Sequence, residues 1–136
     1  KYWESQPSLS ADGKTLYFSS NRVGGYGGRD IWVSYNDGKN WSVPKNLGDS
    51  INTPKDETTP FIHSNGVSLY LSANGYPGMG GYDLYVAQKK DSMWSKPQNL
   101  GYPINTYRDE VAIVIGADGS TAYFAKDTPT KSSPYK

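Results

Sequence analysis

The 136-residue sequence has no cysteine and only one histidine, His63. The absence of cysteine excludes a disulfide framework, a thiolate zinc site and a cysteine nucleophile. A single histidine cannot form a cluster that binds a metal ion, and we interpret His63, which falls within a predicted strand, as a packed or surface residue rather than a catalytic base. The sequence therefore predicts no catalytic residues, no metal ligands and no cofactor.

An excess of charge of one sign is also missing, because 14 Lys and Arg stand against 13 Asp and Glu and the net charge is +1. Nucleic-acid-binding domains usually carry a marked positive excess, so we predict no nucleic-acid partner. The sequence lacks a run of about 18 apolar residues that would cross a bilayer, and it does not start with the apolar stretch of a signal peptide. We expect a soluble chain without a membrane span. Because it does not begin with Met, we interpret it as a processed product or a piece of a longer protein.

The sequence does contain a tandem repeat with a period of 53 residues. Three copies align without a gap, beginning at Glu4, Glu57 and Glu110. Such self-similarity is typical of architectures in which each repeat packs against its neighbours. We predict a first repeat over residues 4–56, a second over 57–109 and an incomplete third over 110–136. The matching segments include Asp12-Gly13 with Asn65-Gly66 and Asp118-Gly119, Asn46-Leu47-Gly48 with Asn99-Leu100-Gly101, and Ile51-Asn52-Thr53 with Ile104-Asn105-Thr106.

Each repeat is predicted to form four short antiparallel strands. The Asx-Gly pair between the first two strands is the strongest short-range signal for a β-hairpin. The fourth strand contains Pro44 or Pro97, and proline is confined to the edges and bulges of a sheet because it has no N–H to donate. No stretch shows the helical spacing of apolar residues. The predicted strands cover residues 7–10, 15–20, 30–35 and 41–47 in the first repeat, 60–63, 68–73, 83–88 and 94–100 in the second, and 113–116 at the start of the third.

The middle strands of the repeat are apolar on both faces, since residues 16–18 and 31–33 are consecutive large apolar side chains. Neighbouring residues of a strand point to opposite faces, so both faces of the sheet must be covered. Four-stranded sheets stack in this way around the axis of a β-propeller, whereas an immunoglobulin-like sandwich leaves one face of each sheet to solvent. We therefore predict an all-β fold, a partial β-propeller of four-stranded antiparallel blades with about two and a half repeats.

This number of blades is too small for a closed propeller, which typically has about four to eight. Either the chain is a piece of a larger propeller or several copies assemble to complete one, and we favour the piece because the third repeat breaks off before its third strand. The partners then include the remaining blades, in a parent chain or by self-association. We expect the isolated chain to expose an apolar blade face and unpaired strands, and to associate or misfold.

One stretch of the first repeat resembles a known family. Residues 7–21, which read PSLSADGKTLYFSSN, precede a glycine loop and the segment DIWV at 30–33, and together they resemble the WD40-like propeller repeat of TolB-type periplasmic proteins. The segments NLG at 46–48 and INT at 51–53 resemble the longer version found in OmpA-family bacterial cell-envelope proteins, including components linked to type IX secretion and gliding. The resemblance implies a periplasmic, outer-membrane-associated location. The third copy departs from the pattern, with Ile113 in place of proline and no glycine loop after residue 126.

The loops between the second and third strands lie at the same end of the predicted blades as the linkers 49–56 and 102–109. The glycine loops 24–28 and 78–81 are connectors in our interpretation, because a phosphate-binding loop precedes a helix and these precede strands. The acids that recur between copies, Asp30, Asp83, Glu57 and Glu110, are predicted to hold turn backbones and bridge blades; a bound cation stays open, although no loop has the acid spacing of an EF-hand. The candidate residues for binding a protein partner or cell-wall component are Arg22, Tyr26, Arg29, Tyr76, Met79, Tyr82 and Arg108.

Residues 34–41 are similar to the Asp-box turn of sialidases and related propellers, and we predict a tight hairpin there with Trp41 packed inward. The sequence favours a non-catalytic protein-interaction or scaffold propeller of a bacterial cell-envelope protein, not an enzyme. The alternative is a glycan-active propeller, either a sialidase-like hydrolase or a lectin, suggested by the Asp-box-like turn. A third interpretation is a spacer whose blades have no ligand face.

Overall fold

The computed structural model describes residues 2–127, and it consists of short antiparallel strands joined by turns and loops. Within this part of the chain there is no helix long and apolar enough to cross a membrane. The predicted departures of the third repeat at residues 128–136 lie outside the described residues. The strands are β1 (Glu4–Leu9), β2 (Thr15–Ser20), β3 (Asp30–Tyr35), β4 (Lys45–Asn46), β5 (Glu57–Ile62), β6 (Ser68–Ala73), β7 (Asp83–Lys90), β8 (Met93–Trp94), β9 (Gln98–Asn99), β10 (Glu110–Ile115) and β11 (Ala122–Lys126).

These strands form three sheets that follow the repeat. The first sheet has the order β1-β2-β3-β4, and the second has the order β5-β6-β7, with both β8 and β9 paired to β7. The third sheet, as far as residue 127, contains β10 and β11. All pairs are antiparallel, and the bounds of β2, β3 and β6 agree with the predicted strands. The all-β partial propeller predicted from the repeat is thus confirmed.

The fourth strand is much shorter than predicted. Instead of residues 41–47 and 94–100, the outer edges carry only the two-residue ladders of β4 and β9, and β8 pairs separately with the far end of β7. Pro44 immediately precedes β4 and Pro97 immediately precedes β9, and a proline cannot donate a ladder hydrogen bond. The prediction that this strand is an edge is confirmed for β4, which ends the order of the first sheet.

The first strand of each sheet begins three residues earlier than predicted, at Glu4, Glu57 and Glu110. In β1 and β5 the pairing continues past an irregularity, at which Gln6 has a φ of 57° and Thr59 a φ of 47°. Such left-handed conformations are uncommon for residues other than glycine, and neither glutamine nor threonine predicts one from its residue type. The prediction began at the following proline because the bulge has no signature in the sequence.

The core lies between the first and second sheets. Side chains from one face of the first sheet, including Tyr17, Ile31 and Val33, form a single buried cluster with Leu71 and Tyr85 of the second sheet. Removal of this apolar surface from water is the main favourable contribution to the stacking of the blades. The consecutive apolar residues of the middle strands are explained by this stacking, because alternate side chains serve opposite interfaces.

The other face of the first sheet, which we call the first face, has no sheet against it within the described residues. Leu16 and Phe18 occupy the positions that Leu69 and Leu71 occupy in the second sheet, one period later. They line a groove of about 250 Å³ with Glu4, Ser5 and Pro7. The two leucines of the second sheet are fully buried, whereas Leu16 remains partly exposed. The first face is therefore an apolar surface of the kind that the neighbouring blades bury.

Two buried asparagines in the linkers form hydrogen bonds with the backbone of the sheets. Asn52 Oδ1 accepts a hydrogen bond from the Ile31 backbone N–H at 2.8 Å, and its Nδ2 donates to the Ile31 carbonyl at 3.0 Å. Asn105 makes the same pair of bonds with Leu84, at 2.8 Å and 2.8 Å. Each side chain thus takes the place of a strand partner for one backbone N–H of β3 or β7, while the carbonyl of the same residue also accepts from the backbone N–H of Leu47 or Leu100. The sequence places these asparagines at the loop end of the blades, but the structure uses them internally.

Candidate functional site

Sheet register brings the variable loops and the linkers to one end of the molecule. Ser20, the last residue of β2, pairs with Asp30, the first residue of β3, and also with Glu4 at the start of β1. The second sheet has the same arrangement, in which Ala73 pairs with both Asp83 and Glu57. We call this end, formed by residues 21–29, 49–56, 74–82 and 102–109, the loop face. It contains the seven candidate binding residues.

Buried aspartates hold the glycine loops of the loop face. The Asp30 carboxylate accepts hydrogen bonds from the backbone N–H groups of Tyr26 and Gly27 at 2.5 and 3.1 Å. In the second repeat, Asp83 accepts from Met79 and Gly80 at 2.7 and 3.1 Å. These contacts agree with the prediction that the recurring acids hold turn backbones. The loops are therefore anchored where they leave the sheet.

A second set of recurring acids joins neighbouring blades. Asp56 Oδ1 accepts a hydrogen bond from the Arg29 backbone N–H at 2.9 Å, and Asp109 Oδ1 accepts from that of Tyr82 at 2.8 Å. The Glu57 backbone N–H donates to the Arg29 carbonyl at 2.7 Å. Each glycine loop is thereby bound to the start of the next blade. The loop face is a continuous frame rather than a row of independent loops.

Glu57 is fully buried beneath this frame. Its carboxylate accepts hydrogen bonds from the Thr53 backbone N–H at 2.9 Å and from the Thr53 hydroxyl at 2.5 Å. Glu110 accepts the equivalent bonds from Thr106 at 3.1 and 2.6 Å. Burial raises the pKa of the Glu57 carboxyl to about 7, because desolvation outweighs the two hydrogen bonds.

The raised pKa of Glu57 predicts a pH dependence of stability. Because the folded-state pKa of about 7 exceeds the ordinary value of 4.5, the folded state binds more protons than the unfolded state between these two values. The free energy of unfolding should fall, on the order of 2 kcal/mol, as the pH rises through this window. Urea unfolding at a series of pH values measures this change. Glu57→Gln should abolish it, whereas Glu4→Gln, on the exposed side chain of β1, should not; a fall retained in Glu57→Gln contradicts the assignment.

The candidate residues Tyr26 and Met79 are exposed at the tips of the two glycine loops, at 53% and 49% of their surface. They occupy the same position of the repeat, one period apart, so two adjacent blades present large side chains at equivalent places. The backbone beneath each side chain is held by Asp30 or Asp83. These two residues have the exposure that a contact with a partner requires, and their role in binding stays a prediction.

Two other candidates use their side chains for packing. Arg22 forms an ion pair with Glu4, and its guanidinium carbon lies 5.1 Å from the ring centroid of Phe18 and 5.3 Å from that of Trp32. It therefore covers part of the first face instead of projecting from the loop face. The half-buried Tyr76 donates its hydroxyl to the Ile51 carbonyl at 2.5 Å, and desolvation raises its pKa.

Arg108 lies in the linker between the second and third blades. Its guanidinium donates to the Tyr107 hydroxyl at 3.2 and 3.1 Å and stacks on the same ring, with 5.3 Å between the guanidinium carbon and the ring centroid. Tyr107 itself is 77% exposed, so the pair stands on the surface of the loop face. The sequence analysis selected Arg108 but missed Tyr107, although an exposed tyrosine beside an arginine is typical of protein interfaces.

The last two candidates, Arg29 and Tyr82, come together in a cleft between the first strands of the blades. The cleft, which we call the inner-strand cleft, has a volume of about 210 Å³. The Arg29 guanidinium carbon lies 4.3 Å from the centroid of the Trp3 ring, and the Tyr82 hydroxyl donates to Asp56 Oδ2 at 2.9 Å. Desolvation is the largest cause that raises the pKa of Tyr82, and the hydrogen bond to Asp56 raises it further. The lining residues are Trp3, Gln6, Arg29, Thr58, Thr59, Tyr82 and Val111.

Trp3 and Gln6 were missed by the sequence analysis. Comparison of the copies could have identified Trp3, because it stands at a position where the other two copies have Asp56 and Asp109. Gln6 lies at the bulge of β1 and accepts a hydrogen bond from the Thr59 backbone N–H at 3.1 Å, which links two inner strands. Contacts of this kind join residues one period apart and have no local pattern in the sequence.

The Asp-box-like turn at residues 34–41 forms as predicted, but Trp41 does not pack inward. Asp37 accepts hydrogen bonds from the backbone N–H groups of Lys39 and Asn40, both at 2.8 Å. Trp41 is 45% exposed. Its counterpart Trp94 packs edge-to-face against Tyr17 of the neighbouring sheet, with 6.1 Å between ring centroids. The equivalent neighbour of Trp41 would lie on the first face, where the described residues supply none.

The titratable residues form no metal site in the described chain. Among residues 2–127, no group of three or more His, Cys, Asp or Glu is placed to hold a metal ion. The half-buried His63 uses Nδ1 to accept a hydrogen bond from the Asn65 backbone N–H at 3.1 Å, within the turn that joins β5 to β6. This contact gives His63 a structural role in the hairpin.

Comparison with known proteins relates the chain to one fold. No protein-family model matches it, and no curated protein matches it. The chain is similar to the crystal structure of TolB from Acinetobacter baumannii, with a TM-score of 0.60 and 15% sequence identity, over 93% of this chain and 27% of that structure. The likeness shows a TolB-like partial β-propeller fold. It does not support the link to OmpA-family proteins or to type IX secretion.

Proposed function

We propose that this chain is part of a non-catalytic propeller, in a bacterial cell-envelope protein, that binds a protein partner through its loop face. One observation carries the proposal: a repeated hydrogen-bonded frame presents side chains that differ between the repeats. Asp30 and Asp83 hold the loop backbones in the same way, while the exposed tips above them are Tyr26 in one blade and Met79 in the next. The residues that recur between repeats support the frame, so the residues that differ between repeats would determine the specificity for a partner.

The chemistry of the loop face suits a protein partner. Tyrosine, methionine and arginine are enriched at the centres of protein interfaces, since they bury large areas and retain a polar or polarisable group. Tyr26, Met79 and Tyr107 are all exposed on this end. The backbones of Tyr26 and Met79 are anchored before binding, which lowers the entropy cost of association. A scaffold of this kind needs no reacting groups.

The proposed location is the periplasm, in association with the outer membrane. The TolB-like fold supports an envelope protein, and the resemblance of residues 46–53 to OmpA-family repeats suggests outer-membrane association. A cell-wall component in place of a protein is the other partner consistent with this location. The Asp-box-like turn gives no support to a glycan-active propeller, because Asp37 uses its carboxylate on the backbone of its own turn.

We also infer that the first face is covered by a further blade of the same repeat. Its residues Leu16 and Phe18 correspond to Leu69 and Leu71, which the first sheet buries completely. A sheet that carries the counterparts of Tyr17 and Val33 would cover the first face in the same way. The additional blade would come from a parent chain or from a second copy.

Site-specific photo-crosslinking in cells that carry the protein tests the loop-face proposal. A benzophenone amino acid placed at Tyr26 or Met79 should crosslink to one discrete protein, because these side chains stand at the proposed contact. The matched control is the same amino acid at Lys39, which is exposed in the turn at the other end of the first blade. Equal crosslinking from Lys39, or crosslinking from none of the loop-face sites, would contradict the proposal.

A further inference from the structure

We propose that the inner-strand cleft binds a carboxylate of the partner protein, carried by an acidic side chain, and that Arg29 is the residue that recognises it. This inference rests on the proposed function and specifies the chemistry of one contact within it. It starts from the three arginines of the sequence, Arg22, Arg29 and Arg108. Arg22 pairs with Glu4, and Arg108 donates to Tyr107.

The Arg29 guanidinium has no acceptor for its hydrogen bonds within residues 2–127. The guanidinium stacks on the ring of Trp3, with 4.3 Å between the guanidinium carbon and the ring centroid. Stacking occupies one flat side of the guanidinium but leaves the N–H groups at its edge free. The aromatic contact thus holds the group in place while its donors remain available.

The second repeat shows that this arrangement is specific to the first blade. Tyr82 and Asp56 are the counterparts of Arg29 and Trp3, one period later, and they satisfy each other through a hydrogen bond of 2.9 Å. The other oxygen of Asp56 accepts from the Arg29 backbone N–H. Both oxygens of this acid therefore already have donors. Within residues 2–127, the Arg29 side chain is left as a positive group without a partner acid.

The free donors of the cleft match a carboxylate. The edge of a guanidinium presents parallel N–H groups that pair with both oxygens of a carboxylate, a geometry that an ammonium group cannot reproduce. Gln6 accepts from the Thr59 N–H through its carbonyl oxygen, so its amide NH₂ is the end left for an incoming acceptor. Asp56 and Asp109 are the negative groups beside the cleft, and each accepts a hydrogen bond from a protein backbone N–H.

The size and walls of the cleft favour a peptide over a free small molecule. Its volume of about 210 Å³ is below the roughly 300–1,000 Å³ of typical small-molecule pockets, so it suits a single side chain inserted from a partner. Two of its walls are β1 and β5, which are edge strands of their sheets. Edge strands leave backbone groups for an extended peptide to contact.

Side-chain NMR on the isotopically labelled protein tests the inference. The probe is the capped peptide acetyl-Gly-Glu-Gly-amide, with acetyl-Gly-Gln-Gly-amide as the neutral control and glucuronate as a carboxylate from a glycan. The glutamate peptide should shift the Trp3 indole N–H and Arg29 Nε–H signals saturably. The glutamine peptide should bind at least about tenfold more weakly, because it cannot form the bidentate ionic pair.

A variant of Arg29 and a variant of Lys55 separate the cleft from the general charge of the loop face. Arg29→Lys keeps the charge but loses the planar fork, and it should weaken binding of the glutamate peptide about tenfold. Lys55→Gln removes an exposed positive charge of the loop face outside the cleft, and it should leave the affinity unchanged. An unchanged amide spectrum verifies that each variant is folded. Equal binding of the two peptides, equal effects of the two variants, or a response to glucuronate alone would overturn the inference.

The outcomes of this titration and of the crosslinking are distinguishable. If Tyr26 crosslinks to a protein while the glutamate peptide does not bind, the carboxylate site is refuted and the loop-face function stands. If the peptide binds at Arg29 but no loop-face position crosslinks, the partner-binding function is refuted in its present form.

Discussion

Replacing Asn105 with leucine is expected to lower the free energy of unfolding by about 3 kcal/mol. The buried amide accepts from the Leu84 N–H and donates to the Leu84 carbonyl, both at 2.8 Å, and donates to Asn99 Oδ1 at 2.7 Å. Leucine has a similar size but makes none of these bonds. The buried Leu84 N–H would lose its acceptor, which costs about 1–3 kcal/mol, whereas the Leu84 carbonyl would keep the hydrogen bond from the Leu100 N–H at 3.0 Å.

Urea unfolding followed by circular dichroism measures this loss. Asn52→Leu should cost a similar amount, because Asn52 makes the same three bonds with Ile31 and Asn46. The control Gln98→Leu changes an exposed side chain of the outer edge and should stay within about 0.5 kcal/mol of the parent protein. A loss below about 1 kcal/mol for both asparagines would show that water or a rearranged linker replaces the amide.

Replacing Gly80 with alanine should also destabilise the protein strongly, by about 3 kcal/mol. A Cβ atom at this position would overlap the Arg108 carbonyl oxygen and lie 2.8 Å from that of Thr106. Both obstacles are main-chain atoms of the linker to the next blade, so no side-chain rotation relieves them. The glycine loop or the linker must move, which separates the second and third blades at the loop face.

The matched control for Gly80 is Gly101→Ala. Gly101 has a φ of +72° and open space around its Cβ position, so alanine there suffers only backbone strain of about 1 kcal/mol. Hydrogen exchange localises the difference. The Glu110 amide, which donates to the Tyr82 carbonyl at 2.9 Å, should exchange faster in Gly80→Ala and not in Gly101→Ala. Equal free energies of unfolding for the two variants would contradict the prediction, because they would show that the linker moves away from the added methyl group without loss of stability.

Most of the fold followed from the repeat and from local chemistry. The Asx-Gly turns and the two-faced apolar pattern placed β2, β3 and β6 at their observed bounds. The errors occurred where the backbone departs from regular geometry. The bulges at Gln6 and Thr59 moved the start of the first strands, and Pro44 and Pro97 confined the outer strands to two residues each. An irregular φ at a glutamine or threonine depends on its surroundings, so the residue type alone does not reveal it.

The candidate site was less predictable than the fold. Comparison of the copies selected Arg29 and Tyr82 as binding candidates, and the structure brings both to the inner-strand cleft, but their role in binding stays a prediction. It also selected Arg22 and Tyr76, whose side chains contact Glu4 and the Ile51 carbonyl instead of solvent. The distinction depends on where a side chain points after the blades have stacked. That direction is decided by neighbours many residues away in the sequence.

The order of the residues was sufficient to establish a repeated all-β unit with two buried faces and one end rich in variable loops, because turn chemistry and apolar patterning act between near neighbours. Packing of the blades decided the rest. It buried Asn52 and Asn105 as substitutes for strand partners, placed Trp3 under Arg29, and left Trp41 half exposed. Each of these outcomes depends on contacts between segments tens of residues apart or between different blades, and such contacts exist only once the sheets have stacked.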